Sequence, residues 1–150
     1  GSGSELDWMR AQIAEHKLDN LILAGRFPFD AMPNLLAQAS ILLATLADRE
    51  IFAATIPNKI QAYMAVGRPI IAAMNGEGAR LVKEANAGLA VPAENAIALA
   101  DAIISLYEVP LEELEKLGAN AQSYYRTHFD HETLVTELQS HLTKISKVKQ

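Results

Sequence analysis

The chain contains no cysteine in its 150 residues. This removes disulfides and thiolate metal sites from consideration and fits a reducing, cytoplasmic setting. No apolar run reaches the roughly 18 residues a bilayer-spanning helix needs, and no secretory pattern opens the sequence. Clustered basic charge is also lacking. Thirteen Lys and Arg stand against 18 Asp and Glu, a formal charge of -5, and the cations are scattered. Nucleic acid is therefore not an expected partner, because phosphate contacts need grouped Lys and Arg. Only the C-terminal stretch with Lys144, Lys147 and Lys149 is locally positive. It reads as a solvated helix end, with weak attraction to an anionic, inner-face membrane surface as the minor alternative. Half of the residues are hydrophobic, which argues against disorder and for one ordinary domain with a real core.

Short apolar runs alternate with amphipathic stretches. Gly1-Ser2-Gly3-Ser4 reads either as a remnant of an expression tag or as a native turn, and Ser4 stands three residues before Asp7 in a capping-box-like spacing. A helix is predicted over 5–17, with Leu6, Met9, Ile13 and Trp8 toward its apolar side. Strands are predicted at 21–24, 41–45, 69–73 and 89–91, and helices at 33–38, 57–66, 77–87, 95–107, 110–126 and 132–147. Pro57 suits a first helical turn, Gly67 a helix stop and Asp130 an N-cap. In the 95–107 helix, Ile97, Leu99, Ala100, Ile103, Ile104 and Leu106 are core candidates. Strands alternating with helices imply an α/β fold with a Rossmann-like parallel sheet and a helical C-terminal tail.

In open parallel sheets, ligands gather at the carboxyl ends of the strands. Three strand-end segments carry suitable chemistry: Gly25-Arg26-Phe27-Pro28, the loop 48–58, and Asn75-Gly76-Glu77-Gly78-Ala79-Arg80. The second feeds a helix that begins Ile56-Pro57-Asn58-Lys59. A helix N-terminus offers free amides and partial positive charge, and Lys59 adds a full cation where the dipole disfavours one. Such a conflict is resolved by a bound anion; the bland alternative is that Lys59 points to water or pairs with a carboxylate. The third loop is a glycine-rich approach to a ligand or a tight turn capped by Asn75 or Glu77. Arg26 beside Phe27 offers charge and an aromatic face to a base or sugar, or is a surface arginine beside a half-buried ring. Asp48-Arg49-Glu50 reads as a solvated loop. His128 and His131 lack a third ligand nearby in sequence, so no metal site is expected. No G-x-S-x-G elbow supports a hydrolase triad.

Residues 20–28, Met32-Pro33, 39–43, the block 56–71 (IPNKIQAYMAVGRPII), Asn75-Gly76-Glu77-Gly78, 87–92 and 124–129 together resemble the donor-binding, C-terminal domain of GT-B glycosyltransferases of family 4. The Pro-Asn-Lys to Gly-Arg-Pro block is the most specific part. It looks closest to enzymes that build bacterial O-antigen and capsule polysaccharides. The resemblance implies a retaining transferase moving a sugar from a nucleotide diphosphate, UDP- or GDP-linked, to a polysaccharide or lipid-linked acceptor. The acceptor and the catalytic residues would belong to a second, N-terminal domain. By position, Arg26 and Phe27 would lie beside the base, and Ile56, Asn58 and Lys59 near the diphosphate. No cofactor or metal is implied.

The sequence departs from the family in two places. Many members carry two glutamates eight positions apart, where this chain has Ala54 and Ala62; Gln61 is then the candidate ribose contact. Against the family pattern, 1–150 corresponds to a partial domain lacking its first two strands. Without them, strands 21–24 and 41–45 would expose unpaired edges. A rearranged strand order, a homo-oligomer or swapped dimer, or completion by a segment from elsewhere is expected to cover them. The fragment alone is expected to be inactive. The competing functional reading is a non-catalytic nucleotide-binding or oligomerisation module.

Overall fold

A computed structural model describes residue 3 and residues 5–148. The proposed cap at Ser4 and Lys149 of the basic tail lie outside the described residues. The chain forms two compact units, Gly1–Leu35 and Leu36–Gln150.

In the first unit, α1 (Leu6–His16) ends on Lys17 in the left-handed conformation, whose amide returns to the Ile13 carbonyl. Leu6, Met9 and Ile13 are half-buried as their spacing predicts, but Trp8 is exposed. The predicted strand at 21–24 is not formed. A strand is defined by its ladder, and no described segment pairs with this one; Ile22 is 81% exposed. A 3-10 turn, Phe29–Ala31, which local patterning missed, leads into α2 (Met32–Ala37).

The second unit holds a parallel sheet of β1 (Leu42–Thr45), β2 (Ile70–Ala73) and β3 (Gly88–Val91), ordered β1-β2-β3. Leu42 faces Ile70, and Ile70 faces Gly88. The strand order is thus sequential, which corrects the expectation of a rearranged sheet: each βα crossover simply places the next strand alongside. Among the described residues, β1 has no ladder partner on its second edge. The connections are α3 (Glu50–Ala53) and α4 (Asn58–Val66) after β1, α5 (Glu77–Glu84) after β2, and α6 (Ala96–Tyr107), α7 (Leu111–His128) and α8 (His131–Val148) after β3.

The central strand is buried along its whole length. Ile70 and Ala72 pack with Ile60 and Met64 of α4, Leu81 and Val82 of α5, and Ala121 of α7. Ile71 turns to the other layer, with Ala102 and Leu106 of α6. This alternation follows from the period-two pleat and produces a helix–sheet–helix sandwich. Full burial of each large side chain contributes about 1.5–3 kcal/mol, so α4 is anchored chiefly through Ile60 and Met64. The core expected of α6 is only partly realised. Ala102 and Leu106 are buried, but Ile97 is 78% and Ile104 55% exposed. The helix is apolar nearly all round, so periodicity alone does not choose the face that meets the sheet.

The expected cap at Asp130 forms, and the structure adds one at Asn95. The Asn95 side chain accepts from the Ala98 amide at 2.9 Å, and the Asp130 carboxylate accepts from the Thr133 amide at 3.2 Å. Among the described residues, no helix is long and apolar enough to cross a membrane.

Candidate functional site

The site grows from the connection between β1 and α4. Pro57 occupies the N-cap in extended backbone (ψ 133°), and no side chain caps the helix. Proline lacks an amide and is preorganised for a helix start. The amides of Asn58 and Lys59 therefore open the helix without an intrahelical acceptor. Both residues are exposed, because the buried Ile60 and Met64 turn the opposite face of α4 into the core. At the far end Gly67 (φ 75°) closes the helix, its amide donating to Tyr63 and Met64 carbonyls.

A second helix start adjoins the first. Gly76 (φ 80°) precedes α5, again with no side-chain cap. A β-carbon on Gly76 would stand 2.0 Å from the Ala53 carbonyl oxygen, and one on Gly78 would stand 3.1 Å from Pro57 Cδ. The glycines thus let the β2–α5 turn lie directly on the β1–α4 connection. Two helix N-termini, each with partial positive charge, converge at the carboxyl ends of adjacent strands. Neither Asn75 nor Glu77 caps α5 as the sequence suggested. Glu77 instead accepts from Arg80 at 2.8 Å, and that hydrogen bond holds its carboxyl below the usual range. Arg80 also pairs with Glu84.

A cavity of about 410 Å³ lies on the α5 side, walled by Asn75, Gly76, Arg80, Lys83 and Pro92 among others. Asn58, Lys59 and Gln61 are not among its walls. Asn58 and Lys59, at the start of α4, are instead exposed.

Of the residues singled out by sequence, Asn58, Lys59 and Gln61 share the first turns of α4, with Gln61 half-buried. Ile56 is half-buried against the main core, which gives it a packing role. Ala54 and Ala62, at the family's glutamate positions, are both exposed. Arg26 and Phe27 belong to the first unit, where both are exposed, Phe27 by 45%. Among the described residues no three His, Asp or Glu side chains group as metal ligands; His128 lies on the Tyr124 ring, centroids 4.2 Å apart. Sequence reasoning missed the tie between Asn75 and Asp48, 2.8 Å apart. The Asn-Gly turn was its only local signal.

Crystal structures of Anabaena Alr3699/HepE superpose on the chain at 23% identity, covering 93% of it. The complex with UDP gives a TM-score of 0.80 over 36% of that chain, the complex with UDP-glucose 0.77 over 36%, and the complex with UDP and glucose 0.72 over 37%. The fold is shared, and this chain spans little more than a third of the length of those proteins. No curated protein matches the sequence. The profile of the family described as Glycosyl transferases group 1 matches residues 1–109. With that much of the chain matched, the protein belongs to the group 1 glycosyl transferases.

Proposed function

We propose that this chain is the donor-binding part of a retaining, family 4 glycosyltransferase, a partial C-terminal domain that works with an acceptor-holding domain. The reaction is transfer of a sugar from a nucleotide diphosphate to a polysaccharide or lipid-linked acceptor, in the cytoplasm or at the inner membrane face. The carrying observation is the pair of uncapped helix N-termini meeting at the strand ends, with the exposed Lys59 in the first turn of one of them. Backbone amides, aligned dipoles and a cation together stabilise a leaving diphosphate as its charge develops. In this reading Asn58 and Lys59 meet the phosphates beside Ile56, and Gln61 reaches the ribose. UDP is favoured over GDP, because the HepE complexes hold UDP and UDP-glucose.

A second reading, a non-catalytic nucleotide-binding or oligomerisation module, is favoured by one observation: Ala54 and Ala62 present methyl groups where a donor sugar and ribose would want acceptors. Among the described residues one edge of β1 has no ladder partner, which suits a homo-oligomer or swapped dimer. Isothermal titration of the chain with UDP and GDP tests the first reading. Binding of UDP ahead of GDP supports it, and binding of neither retires it. Turnover assayed in the longer protein separates the enzyme from the module.

A further inference from the structure

Asn75 lies just beyond the central strand, which ends at Ala73, and sits between the loops that leave its two neighbours. Its Nδ2 donates to Asp48 Oδ1 at 2.8 Å, and its Oδ1 accepts from the Ala93 amide at 3.3 Å. The Asp48 amide in turn donates to Glu94 Oε1 at 3.3 Å, and Glu94 holds a left-handed backbone (φ 56°). One amide side chain therefore joins all three strand-end loops. The chemistry requires an amide: one end must donate to a carboxylate and the other must accept from a backbone N–H. The two residues that follow extend the same contact line. Gly76 rests on Ala53, and Gly78 on Pro57 and the Met74 sulfur. Residues 75, 76 and 78 thus meet residues 48, 53 and 57 in order, along the whole segment that delivers the start of α4.

We propose that Asn75 is a positioning residue: through Asp48 it fixes the β1–α4 connection and so sets where the amides of Asn58 and Lys59 point. The consequence for a diphosphate rests on the donor-binding reading above; the positioning itself does not. Oxyanion donors are effective only when held in place before the charge develops, and Asn75 supplies a side-chain hydrogen bond from the β2–α5 turn to the start of this connection.

The test uses the chain labelled with nitrogen-15, with amide spectra, UDP titration and thermal unfolding recorded for each variant. Asn75→Ala is expected to shift the Asn58 and Lys59 amide signals and to weaken UDP binding about two- to tenfold, the range of a net hydrogen bond. Asn75→Asp sets two carboxylates against each other and is expected to be worse. The reciprocal pair Asp48→Asn with Asn75→Asp restores a donor facing an acceptor and recovers both readouts. Unmoved Asn58 and Lys59 amides in Asn75→Ala overturn the proposal. So does a reciprocal pair no better than Asn75→Asp alone, or a loss of binding that merely follows loss of folded protein in every variant. A chain whose amides respond as described but which binds no UDP sinks the donor reading and leaves Asn75 in its role.

Discussion

Gly118, midway along α7, lies so close to Gly67 that a β-carbon on it would stand 2.3 Å from the Gly67 carbonyl oxygen and 3.0 Å from its carbonyl carbon. This contact sets how near α7 comes to the end of α4, and through Ile60 and Met64 it bears on how α4 is seated. Gly118→Ala gains about 1 kcal/mol of helix propensity, but overpacking against a backbone that does not rotate away costs about 1–3 kcal/mol or more. The clash is expected to prevail. Thermal unfolding should show a lowered Tm; an unchanged or raised one would mean the two helices separate freely.

Lys59→Ala is expected to separate binding from stability. On the proposed donor reading, loss of a charge-assisted phosphate contact is expected to weaken UDP binding by about 1–3 kcal/mol. Stability changes by less than about 0.5 kcal/mol, since the side chain is exposed, and removing a cation from a helix N-terminus is mildly favourable. Titration calorimetry and thermal unfolding of the same sample check both halves. Unaltered affinity would take Lys59 out of the site.

Tyr63 links α4 to β1 by donating its hydroxyl to the Leu43 carbonyl at 3.3 Å, and burial pushes its phenol above the ordinary value. The neutral form is thus favoured in the folded state. Its contribution is complete below the unfolded value of about 10 and is lost as pH rises through the higher folded value, because the unfolded chain releases its proton first. Tyr63→Phe is expected to cost about 0.5–1.5 kcal/mol near neutral pH and to flatten the alkaline fall in stability. Denaturant unfolding across pH 8–11 or so measures both; an alkaline limb identical in the two proteins would contradict the assignment.

The two helix caps are expected to report differently. Asn95→Ala removes the cap of α6, which packs on the sheet through Ala102 and Leu106, and should lower global stability by about 1 kcal/mol. Asp130→Ala uncaps α8, whose apolar residues such as Leu138 and Leu142 remain exposed. It should reduce helical circular dichroism with little change in Tm. An equal Tm loss in both would mean α8 unfolds together with the core.

Local chemistry made part of this molecule readable in advance. Pro57 and Gly67 bracket α4 because one fits a helix start and the other supplies the left-handed backbone, φ 75°, that ends it. The cation in its first turn marked the candidate anion site for the same reason: helix ends carry their polarity in the backbone itself. What involved a choice among partners was not readable. The run 21–24 is as apolar as the strands, yet it has no described neighbour to form a ladder with. Ile97 and Ile104 fit a helical period as well as Ala102 and Leu106, and packing on β2 and β3 selected the latter pair.

Sequence by itself determined where α4 starts and stops, the alternation that forces a parallel sheet, and the polarity of each helix end, since all of these follow from steps of a few residues along the backbone. Only the tertiary structure decided which apolar faces are covered, which strands pair, and that Asn75 meets Asp48, 27 positions away. Hydrogen bonds and packing between distant segments depend on chain closure in space, and no local pattern encodes that distance.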